Sequence, residues 1–365
     1  KAEAVGVAKA GMPMPRLLLL AVLAGAFIAL GASFSTIATT GAQGAIGYGP
    51  ARVLAGVVFS LGLVLVIVGG AELFTGNNLL VMALVARRIR TGALLRNWVL
   101  VYAGNLVGAL GTAWVVYLTG QHKSASGAVG RQALDVAAAK AALPFGEALA
   151  RGVLANALVC LAVWLCYSAR TVTDKIVAII LPITAFVAAG FEHSIANMYF
   201  LPVGLFVKSG APDAFWQSAG TSSGAYDALT WKAFFVDNLL PVTIGNIIGG
   251  GGLVGGVYWF IYLRKRPRAS ARSPGSKTEW STPGETISMR SGSAEYNDAS
   301  CTRSASVDAS IKSAHATTSC STRARSALSS SIPASAFTRA RVWNVATIGT
   351  SSACFNRCAT APESQ

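Results

Sequence analysis

The sequence predicts an all-α integral membrane protein of six spanning helices, arranged as a 3+3 inverted repeat with two of the helices broken. Three observations predict this. Charged residues make up only 12% of the 365-residue chain, against 53% hydrophobic, whereas a soluble protein carries about 25% charge. Apolar runs near the ~20 residues that a bilayer-spanning helix requires recur along the chain. Three short segments of the first half are echoed, in the same order, in the second. Together with a mean hydropathy of +0.52, this excludes an ordinary soluble domain and a disordered chain. The net charge of +15 does not point to nucleic acid, because the basic residues lie between apolar runs and not on one soluble face.

A short N-terminal segment, residues 1–15, has no cleavage-site pattern, so no signal peptide is expected. The spans then fall at residues 16–39, 52–74, 93–118, 148–167, 175–206 and 234–263, within a channel domain expected over 16–266. The second and fifth outrun the ideal length and carry polar residues where hydrocarbon is expected. They divide into half-helices, 52–69 with 77–86 and 175–189 with 195–207. Cys160 and Cys166, in the fourth span, read as buried thiols. Residues 267–365 are rich in Ser, Thr, Ala and Arg with no sustained apolar period, as expected of a low-complexity, disordered cytoplasmic tail. Its four cysteines lack a metal-binding spacing, and no cofactor or metal is expected.

Basic residues orient the bundle. Lys1, Lys9, Arg16, Arg87, Arg88, Arg90, Arg96, Arg170, Lys175, Arg264, Lys265, Arg266 and Arg268 flank the spans on one side. Arg52, Lys123, Arg131, Lys140, Lys208 and Lys232 lie on the other. The richer side is cytoplasmic on this reading and holds both termini.

The repeat sets the architecture. Val22-Leu-Ala-Gly-Ala26 is echoed by Val153-Leu-Ala-Asn-Ala157, and Gly104-Asn-Leu-Val-Gly108 by Gly245-Asn-Ile-Ile-Gly249. Between them, Gly70-Ala-Glu72-Leu-Phe-Thr75-Gly-Asn77 is echoed by Gly190-Phe-Glu192-His193-Ser-Ile-Ala-Asn197. Three spans per half is an odd number, so the second half enters the membrane inverted. Broken helices in inverted repeats meet near the midplane and line a substrate path. Glycine admits irregular backbone there, while Glu and Asn can pair the amides and carbonyls that a break exposes. The Gly-x-x-x-Gly pairs suit close helix packing.

His193 is the only histidine within a span. In a soluble core it would be a satisfied packing residue; in a membrane an ionisable group is costly and usually lines a pathway. Thr75 offers a hydroxyl to an anion or, alternatively, back-bonds to a carbonyl at the break. Glu72 and Glu192 could suggest acid–base chemistry, but no nucleophile or metal set accompanies them. They read, with Asn77 and Asn197, as braces for broken backbone, and the chain is not expected to be an enzyme. Asn156 replaces the Gly25 of the first half, which suggests a polar wall on one side only. Lys140 and Lys123 could concentrate anions at an entrance or be solvated loop charges.

These motifs, with Asp237-Asn-Leu-Leu-Pro-Val-Thr-Ile-Gly-Asn-Ile-Ile-Gly249, resemble the formate/nitrite transporter family, most closely its bacterial formate channels. The resemblance runs over about residues 15–264 and leaves the tail outside. It implies an aquaporin-like fold in a homopentamer of the inner membrane, with one pore per protomer for formate, nitrite, hydrosulfide or a similar small anion. By motif, Thr75 and His193 would face each other in that pore, with Glu72, Glu192, Asn156 and Asn197 beside them. Leu63, Leu73 and Phe74 would form a cytoplasmic slit, and Phe59, Val159 and Phe186 an outer one. The three phenylalanines read as plain packing without the resemblance. Lys140 would stand in an electropositive outer vestibule. The implied route is that an anion enters there, meets His193, and crosses the slit as a neutral acid or paired with a proton. A water or glycerol channel is the rival of the same fold class, but its Asn-Pro-Ala pair is absent.

Overall fold

The computed structural model describes residues 1–264; the tail expected over 267–365 lies outside them. Every element among the described residues is helical. The principal ones in the first half are α1 (Ala2–Ala10), α2 (Met14–Thr39), α3 (Tyr48–Gly69), α4 (Phe74–Val85) and α5 (Thr91–Leu118). In the second half they are α6 (Ala128–Ala141), α7 (Phe145–Ser168), α8 (Val172–Ala188), α9 (Ser194–Gly210) and α10 (Ala233–Leu263). The order is the same in both: a short helix, a long one, a half-helix, a break, a second half-helix, and a long closing helix. The expected inverted repeat is present, and both breaks fall where the sequence places them.

Five helices, α2, α3, α5, α7 and α10, are long and apolar enough to cross a bilayer. The half-helices α8 and α9 span jointly. Most boundaries lie within a few residues of expectation. The largest shifts, four residues each, are the end of the fifth span, at Gly210 instead of 206, and the start of α3, at Tyr48 instead of 52, where Pro50 falls in the first turn and its missing N–H costs nothing. Pro13 and Pro144 likewise stand immediately ahead of α2 and α7.

Both breaks begin with a glycine in the left-handed region, Gly70 at φ +72° and Gly190 at φ +73°, where a Cβ is penalised. Beyond them the halves differ. The half-helix expected over 77–86 is instead three pieces: Phe74–Asn77, a 3-10 turn at Asn78–Leu80, and Val81–Val85. Asn78 is the cause, since its side-chain amide donates to Phe74 O (3.2 Å) and Thr75 O (3.3 Å) and competes with the helical ladder. By contrast α9 runs unbroken, with His193 as its N-cap.

Helix α2 packs on α3 and α5, α7 packs on α8 and α10, and α3 meets α8 between the halves. Glycine permits the tightest of these crossings. A Cβ on Gly108 would collide with Val22 O, and one on Gly249 with Val153 O, so the Gly-x-x-x-Gly echo is a close-packing device in both halves. Helix α10 is wound as π-helix over Ala233–Leu239, Ile248–Gly256 and Trp259–Leu263. Nothing in its hydropathy distinguishes that winding from an α-helix.

Candidate pore and its two vestibules

Each break exposes backbone groups that must be paired in a dry interior, and each half solves this with the same side chains. In the first, Asn105 Oδ1 accepts from Phe74 N–H (2.9 Å), and its amide donates to Ala21 O (2.7 Å) and Glu72 O (3.0 Å). In the second, Asn246 Oδ1 accepts from Ser194 N–H (2.9 Å), and its amide donates to Gly152 O (2.8 Å) and Glu192 O (3.0 Å). One asparagine of a closing helix thus ties the break to the long helix that opens its half.

A second layer neutralises the buried carboxylates. Glu72 pairs with Lys9 Nζ (3.1 Å) and accepts from Asn77 Nδ2 (2.8 Å). Asn77 Nδ2 also reaches Asn97 Oδ1 (3.0 Å), and Asn97 Nδ2 returns to Lys9 O (3.2 Å). The other half repeats these contacts, but not the further one from Lys9 Nζ to Asn77 Oδ1 (2.8 Å), since Asn197 Oδ1 has no partner among the described residues. Lys140 Nζ pairs with Glu192 (2.8 Å), Asn197 Nδ2 donates to Glu192 (2.7 Å) and Asn238 Oδ1 (2.7 Å), and Asn238 Nδ2 returns to Lys140 O (2.9 Å). A buried carboxylate persists only when paired and hydrogen-bonded, and both are.

At the centre, Thr75 Oγ1 lies 2.8 Å from His193 Nε2, with both side chains buried. The tautomer follows from the other ring nitrogen. Nδ1 accepts from Ala196 N–H (3.1 Å), so in the neutral ring the proton sits on Nε2 and is donated to Thr75. The Thr75 hydroxyl hydrogen is then left for another acceptor.

A cavity of about 290 Å³ opens on each side of this pair. The proximal one, on the side of Lys1, is lined among others by Lys9, Leu63, Glu72, Leu73, Asn77 and Lys175. The distal one is lined among others by Arg52, Phe59, Lys140, Arg151, Phe186 and His193. Phe59 and Phe186 meet edge to face at 5.6 Å, and Phe186 stands 5.9 Å from the His193 ring. Leu63 and Leu73 are buried on the proximal side of the centre, and Phe74 packs against Tyr102 at 4.9 Å. Val159 is buried in the same core.

The structure places Leu63, Glu72, Leu73 and Asn77 against the proximal cavity and Phe59, Lys140, Phe186, Glu192, His193 and Asn197 against the distal one, while Thr75, Phe74 and Val159 are buried and line neither. Asn156 is buried beside Cys160, whose thiol reaches Thr75 O (3.3 Å). Its amide donates to Asn246 O (2.6 Å) and its Oδ1 faces Cys160 (3.8 Å), so the extra polar group braces α10 and lines neither cavity. Sequence reasoning missed Lys9, Asn97, Asn105, Asn238 and Asn246 as functional partners. A signal existed: Ala8-Lys-Ala-Gly-Met-Pro13 is echoed by Ala139-Lys-Ala-Ala-Leu-Pro144, a fourth repeat that places both lysines.

Comparison with known proteins agrees with this geometry. The sequence profile of the Formate/nitrite transporter family matches residues 1–260. The chain is 47% identical over 264 residues to "Formate channel FocA" of Escherichia coli strain K12, covering 72% of this chain and 92% of that protein. It is 44% identical over 232 residues to "Formate channel FocA" of Haemophilus influenzae, covering 64% and 81%. Among solved structures, a "Pentameric formate channel with formate bound" superposes with a TM-score of 0.64 at 40% identity, over 69% of this chain and 98% of that one.

Proposed function

The chain belongs to the formate/nitrite transporter family, and on that premise we propose that it is a channel for small monovalent anions, formate first. It works as a homopentamer in the cell inner membrane, with one pore through each protomer. The proximal vestibule and both termini face the cytoplasm, as the excess of basic residues on that side favours. It carries out transport and no catalysis. The solved relative described as pentameric and formate-bound supports the substrate and the assembly.

The observation that carries this reading is the Thr75–His193 contact, 2.8 Å long, set between a distal cavity that His193 lines and a proximal one lined by Leu63 and Leu73. An anion in the distal vestibule displaces Thr75 as the acceptor of the His193 Nε2–H. Its second oxygen accepts the freed Thr75 hydroxyl. The apolar layer of Leu63, Leu73 and Phe74 opposes a bare charge, so the anion crosses it protonated or with its charge shared. Phe59, Phe186 and Val159 impose the same condition on the distal side. Glu72 and Glu192 hold the breaks and take no part in the transfer.

Flux into proteoliposomes tests this, with formate, nitrite and hydrosulfide compared across pH. Formate flux should be saturable, and His193→Phe should reduce it at least about tenfold, the equivalent of one lost hydrogen bond to a charged group. Unchanged flux and pH dependence in that variant overturn the central-histidine mechanism. A chain that carries nitrite or hydrosulfide and not formate keeps the pore and changes the substrate.

A further inference from the structure

The distal vestibule carries two arginines, whereas the cations of the proximal one, Lys1, Lys9 and Lys175, are all lysines. Arg151 occupies the place that the repeat gives to Leu20 in the first half. Glu72 N–H donates to Leu20 O (3.1 Å), and Glu192 N–H donates to Arg151 O (3.3 Å). The Arg151 guanidinium turns toward the break, with Nη1 donating to Gly190 O (3.4 Å) and Nη2 to Glu147 (2.9 Å). Arg52 reaches the same place from α3. Its Nε donates to Ala188 O (3.3 Å) and its Nη2 to Val187 O, which leaves Nη1 over.

The two guanidinium groups converge on one small space. A Cβ on Gly190 would lie 3.5 Å from Arg52 Nη2 and 3.9 Å from Arg151 Nη1, whereas one on Gly70 would meet nothing within 4 Å. This space lies at the edge of the cavity that contains His193. Lys140 contributes little free charge to that cavity, because Glu192 neutralises it at 2.8 Å. The charged groups lining the cavity are Arg52, Lys140, Arg151 and Glu192, so its net positive charge resides on the arginines. The Arg151–Glu147 pair is 41% and 55% exposed and is weak for that reason. Backbone carbonyls hold both guanidinium groups in place before any ligand arrives.

A planar guanidinium recognises an anion with two coplanar oxygens through paired hydrogen bonds, and a single-centre anion gains less from it. We propose that Arg52 and Arg151 form an anion-docking site at the distal mouth, selective for planar two-oxygen anions, that the proximal mouth lacks. The proposal rests on the channel reading for its purpose, and its geometry stands independently of flux.

The test uses benzoate, a planar carboxylate too wide for the apolar layers, as a blocker of formate flux in vesicles of known sidedness. Distal benzoate should inhibit the wild type, and the half-inhibitory concentration should rise about tenfold in Arg52→Gln with Arg151→Leu, one lost charged hydrogen-bond pair. The proximal value should stay within about twofold. Arg151→Leu installs the residue that the first half already tolerates, which guards against misfolding. An unchanged distal value, or an equal shift from both sides, overturns the site, and a wild-type value in Arg52→Lys overturns its two-oxygen selectivity. If the wild type passes no formate, the channel reading fails and the site is judged by saturation-transfer NMR of formate on the solubilised protein. Loss of that signal in the double variant supports docking, and an equal signal overturns it.

Discussion

The two breaks are built to one plan and finished differently. Around Gly70 and Gly190 the same Lys-Glu-Asn-Asn ring and the same bracing asparagine recur with hydrogen-bond lengths that mostly agree to 0.1–0.3 Å. The proximal break continues into three short pieces and keeps Leu20 at its edge; the distal break continues into a regular 17-residue helix with Arg151 at its edge. The repeated part meets the demand common to any broken helix in hydrocarbon, that every backbone polar group be paired. The unrepeated part meets demands that differ between the two ends of a pore.

The largest expected effect tests the shared ring. Lys140→Met or Lys9→Met leaves a buried carboxylate without its cation, which costs about 3–5 kcal/mol. Lys140 is the less exposed of the two, at 16% against 26%, so its loss should lower the melting temperature of the solubilised protein more. A larger loss from Lys9 breaks the claim that burial sets the order. Next come Asn105→Leu and Asn246→Leu, each stranding one amide and two carbonyls, at about 1–3 kcal/mol per variant. Their matched geometry predicts equal losses, and thermal unfolding that separates them by more than about 1 kcal/mol shows the halves to be energetically unlike.

Gly70→Ala and Gly190→Ala should each cost about 1–2 kcal/mol for the left-handed conformation. The two values should agree, because a methyl on Gly190 would meet Arg52 and Arg151 only at ordinary contact distance, 3.5 and 3.9 Å; a clearly larger loss at Gly190 would mean that the two arginines are disturbed. The smallest effect belongs to His122, in the segment after α5. It is buried and stacked on Tyr117 at 5.0 Å. Burial, reinforced by Lys123, holds it below its ordinary value of 6.5. The unfolded chain therefore binds the extra proton first, and the distal side loses support as pH falls below about 6.5. His122→Phe should flatten stability against pH between 7 and 5, measured by thermal melts. An unaltered slope assigns the sensitivity elsewhere.

Much of this was legible in the sequence, for definite reasons. Hydrocarbon requires long apolar runs, so the spans stand out, and a histidine with two glutamates inside such runs demands a pathway. The ring partners were hidden because each lysine lies in a short helix outside the apolar runs and pairs across long separations, 63 residues for Lys9 and Glu72 and 52 for Lys140 and Glu192. Arg151 was hidden in another way: it sits inside a run long enough to be counted as a span, and no flank count includes it. The break-up of α4 depends on one side chain, Asn78, turning back on its own backbone. Hydropathy does not register that.

The hydrogen bond from Ala196 N–H to His193 Nδ1 limits the pore in a further respect. A proton wire needs a ring with two open doors, one nitrogen receiving while the other releases. Here one door is held shut by a backbone amide that can only donate. Any proton that visits this ring arrives and departs through Nε2, on the face that Thr75 occupies. On the proposed route a proton that crosses by way of His193 is thus a passenger on the anion, and a relay of bare protons finds no second open nitrogen in that ring.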